Sequence, residues 1–257
     1  MIHEAIAFEV SYWKRWKLNF VGSYLDSVGL LFAIILLMKF RSPSASITSP
    51  EYAFFIIGFL SSYLTTAIFS RIDTPKNYAK YDIYDWIVSS RTSMLHVLVA
   101  ERIWVFLRYV TPGFVGLTVY FAVLSVPLKV YFICVTLMMV GWVGCVGFNL
   151  ILTSLGLLYG KIEGASAWLS LLISYFMVGI FFPVTMLPFK LWVVSLVFPA
   201  TYAIDLSRHF TLGTELILPS VKMEITCFAV LVVALLIVGL HLWKRADKKV
   251  RRGELQF

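Results

Sequence analysis

The sequence predicts an all-α integral membrane protein with six transmembrane helices and both termini on the inner side (N-in/C-in). An N-terminal amphipathic interfacial helix and a re-entrant helical segment between spans 5 and 6 complete the predicted fold. Three observations carry this reading. Hydrophobic residues fill 60% of the 257 positions, charged residues only 14%, and the mean hydropathy is +0.86. A soluble domain needs about a quarter of its residues charged to cover its surface. Apolar runs close to the ~20 residues of one bilayer crossing recur along the chain, and the charges gather at the ends and in short loops. The chain reads as a single domain, 1–257, without internal repeats.

Residues 1–20 form the first element. At 100° per residue, Phe8, Tyr12, Trp13, Trp16 and Phe20 share an arc of about 140°, while Lys14, Arg15 and Lys17 lie outside it. An aromatic face opposite a basic one lies in the headgroup plane rather than crossing it.

The six predicted spans are Val21–Met38, Tyr52–Ser70, Ile103–Leu124, Val130–Leu158, Ala167–Phe182 and Ile225–Trp243. The first is no cleavable signal, because Lys39, Phe40 and Arg41 follow at once without a small-residue cleavage site. Orientation follows from lysine and arginine placement. With both termini inside, the N-terminal arm, the loop 71–102, Lys161 and the basic tail 244–257 hold fifteen of the 22 basic residues. The outer loops hold six, and Arg108 falls within a span. The net charge of +8 is thus a topology signal with added attraction to anionic membrane lipids. Nucleic acid is not an expected partner, since no basic stripe carries interleaved base-stacking aromatics.

The largest inner loop, 71–102, has helical periodicity at Ile83, Trp86, Ile87, Met94, Leu95 and Leu98, with Ser89 and Ser90 as a break between two short helices. Asp82, Asp85 and Trp86 give it charge around one large anchor, the mix that protein interfaces favour. Small residues mark packing faces: Gly141, Gly144 and Gly147, then Gly156, Gly160 and Gly164, then Ser166, Ser170 and Ser174. In lipid such stripes let helix backbones approach closely. Asp26 and Arg108 sit at similar depth from the inner face and are expected to form an intramembrane salt bridge.

Between spans 5 and 6 the chain is broken by Pro183, Pro188 and Pro199. Each proline deletes a helix-stabilising amide. Pro183 and Pro188 are expected to end span 5. A short helix around Phe189–Val197 then dips back into the membrane, and Ala200–Phe210 forms a further piece of helix. Irregular backbone at that depth survives only where protein or a water-filled cavity surrounds it. The segment 183–210 is therefore expected to pack into the outer half of the bundle and to form part of an exit gate. Asp205 and Arg208, three apart on one helical face, are expected to pair there.

Catalytic chemistry is sparse. No G-x-x-x-x-G-K-[ST] loop exists to cradle a nucleotide, so the chain itself is not expected to be an ATPase. His3, His96, His209 and His241 are scattered, and Cys134, Cys145 and Cys227 show no metal-ligand spacing. No metal and no cofactor are expected in this chain. Two alternatives stand beside a permease powered from outside its own bundle: an ion-coupled secondary transporter, and a membrane enzyme built on Asp205, Arg208 and His209.

The assembled pattern resembles the type-2 ABC transporter permeases, over essentially the whole chain. The sharpest part is Gly179–His209, where Gly179, Phe182, Pro183, Leu187, Pro188, Pro199, Tyr202, Asp205 and Arg208 fit the family's series in order. The resemblance implies the membrane subunit of an exporter in the cytoplasmic (plasma) membrane of a prokaryote. It implies a second copy of the chain and two ATP-binding cassette subunits as partners, with ATP and Mg held by those subunits. The loop 71–102 would then be the coupling segment docked on the ATPase, with Asp82, Asp85, Trp86 and Arg91 as its members. This loop departs from the family, since Arg91 stands where a proline is usual and Ile83-Tyr84-Asp85 has no glycine. Spans 1 and 5 would meet at the dimer interface, where Ser166, Ser170 and Ser174 suit close packing. A lipophilic, lipid-linked or drug-like cargo would pass outward, with Phe55, Phe59, Tyr63, Tyr175 and Phe176 as candidates for lining its path.

Overall fold

A computed structural model of the chain describes residues 17–41, 46–69, 94–159 and 176–252. These are helical: α1 (Lys17–Arg41), α2 (Pro50–Phe69), α3 (Met94–Val105), α4 (Thr111–Val123), α5 (Leu128–Tyr159), α6 (Phe189–Ser195), α7 (Pro199–Leu212) and α8 (Val221–Arg251). A π-helical turn, Phe106–Val110, joins α3 to α4 in one continuous rod. Among the described residues three helices are long and apolar enough to cross a membrane: the rod Met94–Val123, α5 and α8. The described residues thus make an all-helical, multi-pass type of membrane protein. Helices α1 and α2 coincide with the first two predicted spans. Most of the predicted fifth span, and the residues 1–16 of the predicted interfacial helix, lie outside the described residues, whereas Lys17–Phe20 already belong to α1.

The π-turn has a local cause. Pro112 has no amide to offer the preceding turn. The Thr111 amide instead reaches back five residues to the Phe106 carbonyl, and the Thr111 hydroxyl donates to the same oxygen at 3.0 Å. The rod keeps its direction while the register shifts by one residue.

Two predicted boundaries change. The third span starts at Met94 rather than Ile103, so Met94, Leu95 and Leu98 belong to the rod and not to a separate loop helix. Met94 and Leu98 are buried with Leu150, Leu157, Trp243 and Ala246, and this burial extends the helix. Likewise α8 does not stop at Trp243 but runs through the basic tail to Arg251. Ala246 anchors that extension in the same cluster, and Arg251 pairs with Asp247 at 2.9 Å.

Helix α5 is the axis of the bundle, packing against α8, α7 and α2. The three-residue glycine stripe is its seat. A Cβ at Gly141 would press on Ala203 of α7, one at Gly144 on Pro199 and Val232, and one at Gly147 on the α8 backbone at Leu235 and Leu236. Gly239 of α8 meets the Gly147 carbonyl from the other side. A Cβ at Gly156 would meet nothing among the described residues, and Gly160 and Gly164 lie outside them. Asn149, a lone amide in the apolar α5, donates to the Ile68 carbonyl at 2.6 Å and accepts from the Thr153 hydroxyl. It satisfies one of the orphan carbonyls that end α2.

Candidate functional site

The segment from Met177 to α8 folds as a helical hairpin sunk into the bundle. Its prolines act mainly as helix starters. Pro183 precedes a 3-10 turn (Val184–Met186), Pro188 precedes α6, and Pro199 is the first residue of α7. A fixed φ and a missing amide suit those positions. The break after Phe176–Met177 comes earlier than Pro183, at Gly179, whose φ of +78° is open to glycine at little cost.

The hairpin is deep. Pro199 lies against Gly144, halfway along α5 and about 24 Å from its start at 1.5 Å per residue. From there α7 climbs back past Gly141, which faces Ala203, to Cys134, whose thiol lies beside the Ser207 carbonyl and the Thr211 hydroxyl. The tip is closed by the Thr201 hydroxyl donating to the Ser195 carbonyl at 2.9 Å and by Phe198 packing on Phe148. Val193, Val194 and Val197 on the α6 side are exposed, whereas Pro199 to Arg208 are all buried. Backbone of this kind inside an apolar bundle fits the expectation that protein must surround it.

Arg208 fastens the hairpin. Only 2% exposed, its guanidinium donates four hydrogen bonds to three carbonyls. Nε and Nη2 reach Phe54 O of α2 at 3.0 and 2.9 Å, Nη1 reaches Gly179 O, and Nη2 reaches Ile180 O. The guanidinium carbon also lies 3.5 Å from the Phe54 ring centroid, a cation–π contact. The carbonyls of residues 179 and 180 follow a helical turn and have no helix of their own to satisfy them. One planar, five-donor group serves both and ties them to α2.

Asp205 and Arg208 are therefore not the expected ion pair. The arginine is aimed at α2 and the turn at 179–180. Asp205 Oδ2 instead accepts the Ile217 amide at 3.0 Å, in the loop that leads to α8. Glu224, in the first turn of α8 and wholly buried, accepts the Leu218 amide at 3.1 Å. Sequence reasoning missed Glu224; its signal was an acid one position before an apolar run. Tyr202 stacks on Phe228 with centroids 5.8 Å apart, and His209 Nδ1 lies 2.7 Å from the Thr214 carbonyl.

The other nominated residues fall elsewhere. Phe59 is buried in the core and packs edge-on against the half-buried Tyr63, which in turn abuts Gly113. Phe55 is half-buried beside Phe54, and Phe176 is exposed. Tyr175, Ser166, Ser170, Ser174, Asp82, Asp85, Trp86 and Arg91 lie outside the described residues, as does the Asp26 side chain. Arg108 sits half-buried in the π-turn, and the Tyr24 hydroxyl donates to Leu107 O at 3.4 Å, placing α1 beside that turn. A cavity of about 230 Å³ opens between α3, α5 and α8, walled by apolar side chains such as Leu98, Trp142 and Leu236, with Arg102 as its charged member. Among the described residues no cluster of three or more metal-ligating side chains occurs.

Comparison with known proteins adds no relative: no protein-family model matches the chain, and no curated protein matches it.

Proposed function

We propose that this chain is the membrane-spanning subunit of an ATP-driven exporter, assembled from two copies of itself and two separate ATP-binding subunits. In this reading the chain has six spans with both termini inside. The rod, α5 and α8 are three of them, and α1, α2 and the predicted span Ala167–Phe182 are the others. The carrying observation is the hairpin α6–α7, which reaches halfway down α5 from the loop end and is fastened to α2 through Arg208. A hairpin so placed closes one end of the bundle, and movement of α2 relative to α7 would open it. The nominated coupling residues Asp82 to Arg91 immediately precede the Met94–Val123 rod in the chain, so force applied there by an ATPase would be transmitted along a continuous helix. The apolar cavity beside that rod suits a lipophilic cargo better than a hydrophilic one.

The test is gentle purification of the tagged full chain from its native host. The expected result is a stoichiometric partner carrying a G-x-x-x-x-G-K-[ST] loop. Vanadate-insensitive transport by the chain reconstituted alone would overturn the proposal in favour of an ion-coupled carrier.

A further inference from the structure

Asp205 and Glu224 come from different helices, α7 and α8, and meet beneath the connecting loop 213–220. They are 8% and 0% exposed. Consecutive amides of the loop serve them, Ile217 N–H to Asp205 Oδ2 and Leu218 N–H to Glu224 Oε2. Accepting from consecutive amides of one short loop holds the two buried carboxyl groups side by side. Ionised carboxylates only accept, so neighbouring carboxyl groups can bond to one another only when one of the pair carries a proton. Glu224 Oε1 supplies a second, independent sign: it is buried and no donor of the described residues reaches it. A buried charged oxygen without a donor is costly, and a proton removes both the charge and the cost.

Charge balance points the same way. Arg208 and His209 follow Asp205 by three and four positions on α7, Tyr202 of α7 stacks on Phe228 one turn beyond Glu224, Cys227 lies on the same helix, and α5 contributes Cys134, engaged with Ser207 and Thr211. With one proton on the pair, Asp205, Glu224 and Arg208 sum to zero. Without it the group is a net anion in apolar surroundings. A metal cation fits worse, because a hard ion wants about six oxygens and each carboxyl has already given one oxygen to an amide.

We propose that Asp205 and Glu224 form a proton-binding site, in which one shared proton latches loop 213–220 and the start of α8 onto α7. Loss of the proton leaves two facing carboxylates, whose repulsion releases the loop from the hairpin. The site stands on its own geometry and does not depend on the ATP-driven reading.

Infrared spectroscopy of the full-length chain in lipid nanodiscs, recorded as pH is stepped upward, tests it. The wild type is expected to show a carboxylic-acid C=O band at neutral pH that disappears in alkali. Glu224→Gln is expected to lack that band, and Asp205→Asn to shift it by changing the proton's partner. Absence of an acid band in the wild type at neutral pH overturns the proposal, as does a band that neither variant alters. A band that appears only after removal of Na⁺ or Ca²⁺ would put a metal ion at the site and overturns it equally. Either variant alone suffices for the assignment, so poor folding of one leaves the test decisive.

Discussion

The guanidinium of Arg208 occupies the space that a side chain at Gly58 would fill. A Cβ on Gly58 would collide with Nη2 of Arg208 and with the Ile180 carbonyl that this nitrogen serves. Glycine is needed at that turn of α2 because a cation from α7 lies against the bare backbone. Gly58→Ala is therefore expected to dislodge the arginine and leave a buried charge unsatisfied, at a cost of about 3–5 kcal/mol. Gly156→Ala on α5 meets no neighbour among the described residues and is expected to gain up to about 1 kcal/mol from helix propensity. Thermal unfolding of the two purified variants checks the opposite signs.

Arg208→Lys should not rescue the site. An ammonium is a point donor and cannot span Phe54 O, Gly179 O and Ile180 O together. Each lost hydrogen bond to the charged group is worth about 1.5–3 kcal/mol. The expected outcome is a marked drop in melting temperature for Lys, with protease cutting near residues 179–188 that the wild type resists.

Filling the seat of the hairpin should expel it. Gly144→Leu would drive a side chain into Pro199 and Val232, an overpacking cost of about 1–3 kcal/mol or more. A spin label at Val197, on the exposed side of the hairpin tip, is expected to report bilayer-interior depth in the wild type. In Gly144→Leu it should move toward the interface.

Asn149→Leu removes the donor that satisfies Ile68 O at the end of α2. The orphan carbonyl is expected to cost about 1–3 kcal/mol. Chemical denaturation of the detergent-solubilised protein should show the loss, and Asn149→Gln should recover part of it.

Much of this architecture was legible in the sequence, for physical reasons. Prolines announce themselves, so the pieces 189–197 and 200–210 were readable from Pro188 and Pro199, and the three-residue glycine spacing marked the packing face of α5. Arg208's role was not legible, because its partners are backbone carbonyls far away in the chain, at residues 54, 179 and 180. A carbonyl leaves no trace in residue identity, whereas Asp205, three positions away, looked like the natural partner. Gly58 was silent for the same reason. Lengths of helices beyond the apolar runs, at Met94–Arg102 and Lys244–Arg251, depended on packing between Leu98, Trp243 and Ala246, which no local pattern encodes.

The proposed exporter role stands or falls on ATP hydrolysis in the purified assembly. The chain is expected to co-purify with vanadate-sensitive ATPase activity, and joint replacement of Asp82, Asp85, Trp86 and Arg91 by alanine should remove that activity while the chain still inserts and folds. Purification of a folded chain that carries no ATPase, yet moves its cargo when reconstituted alone, would contradict it.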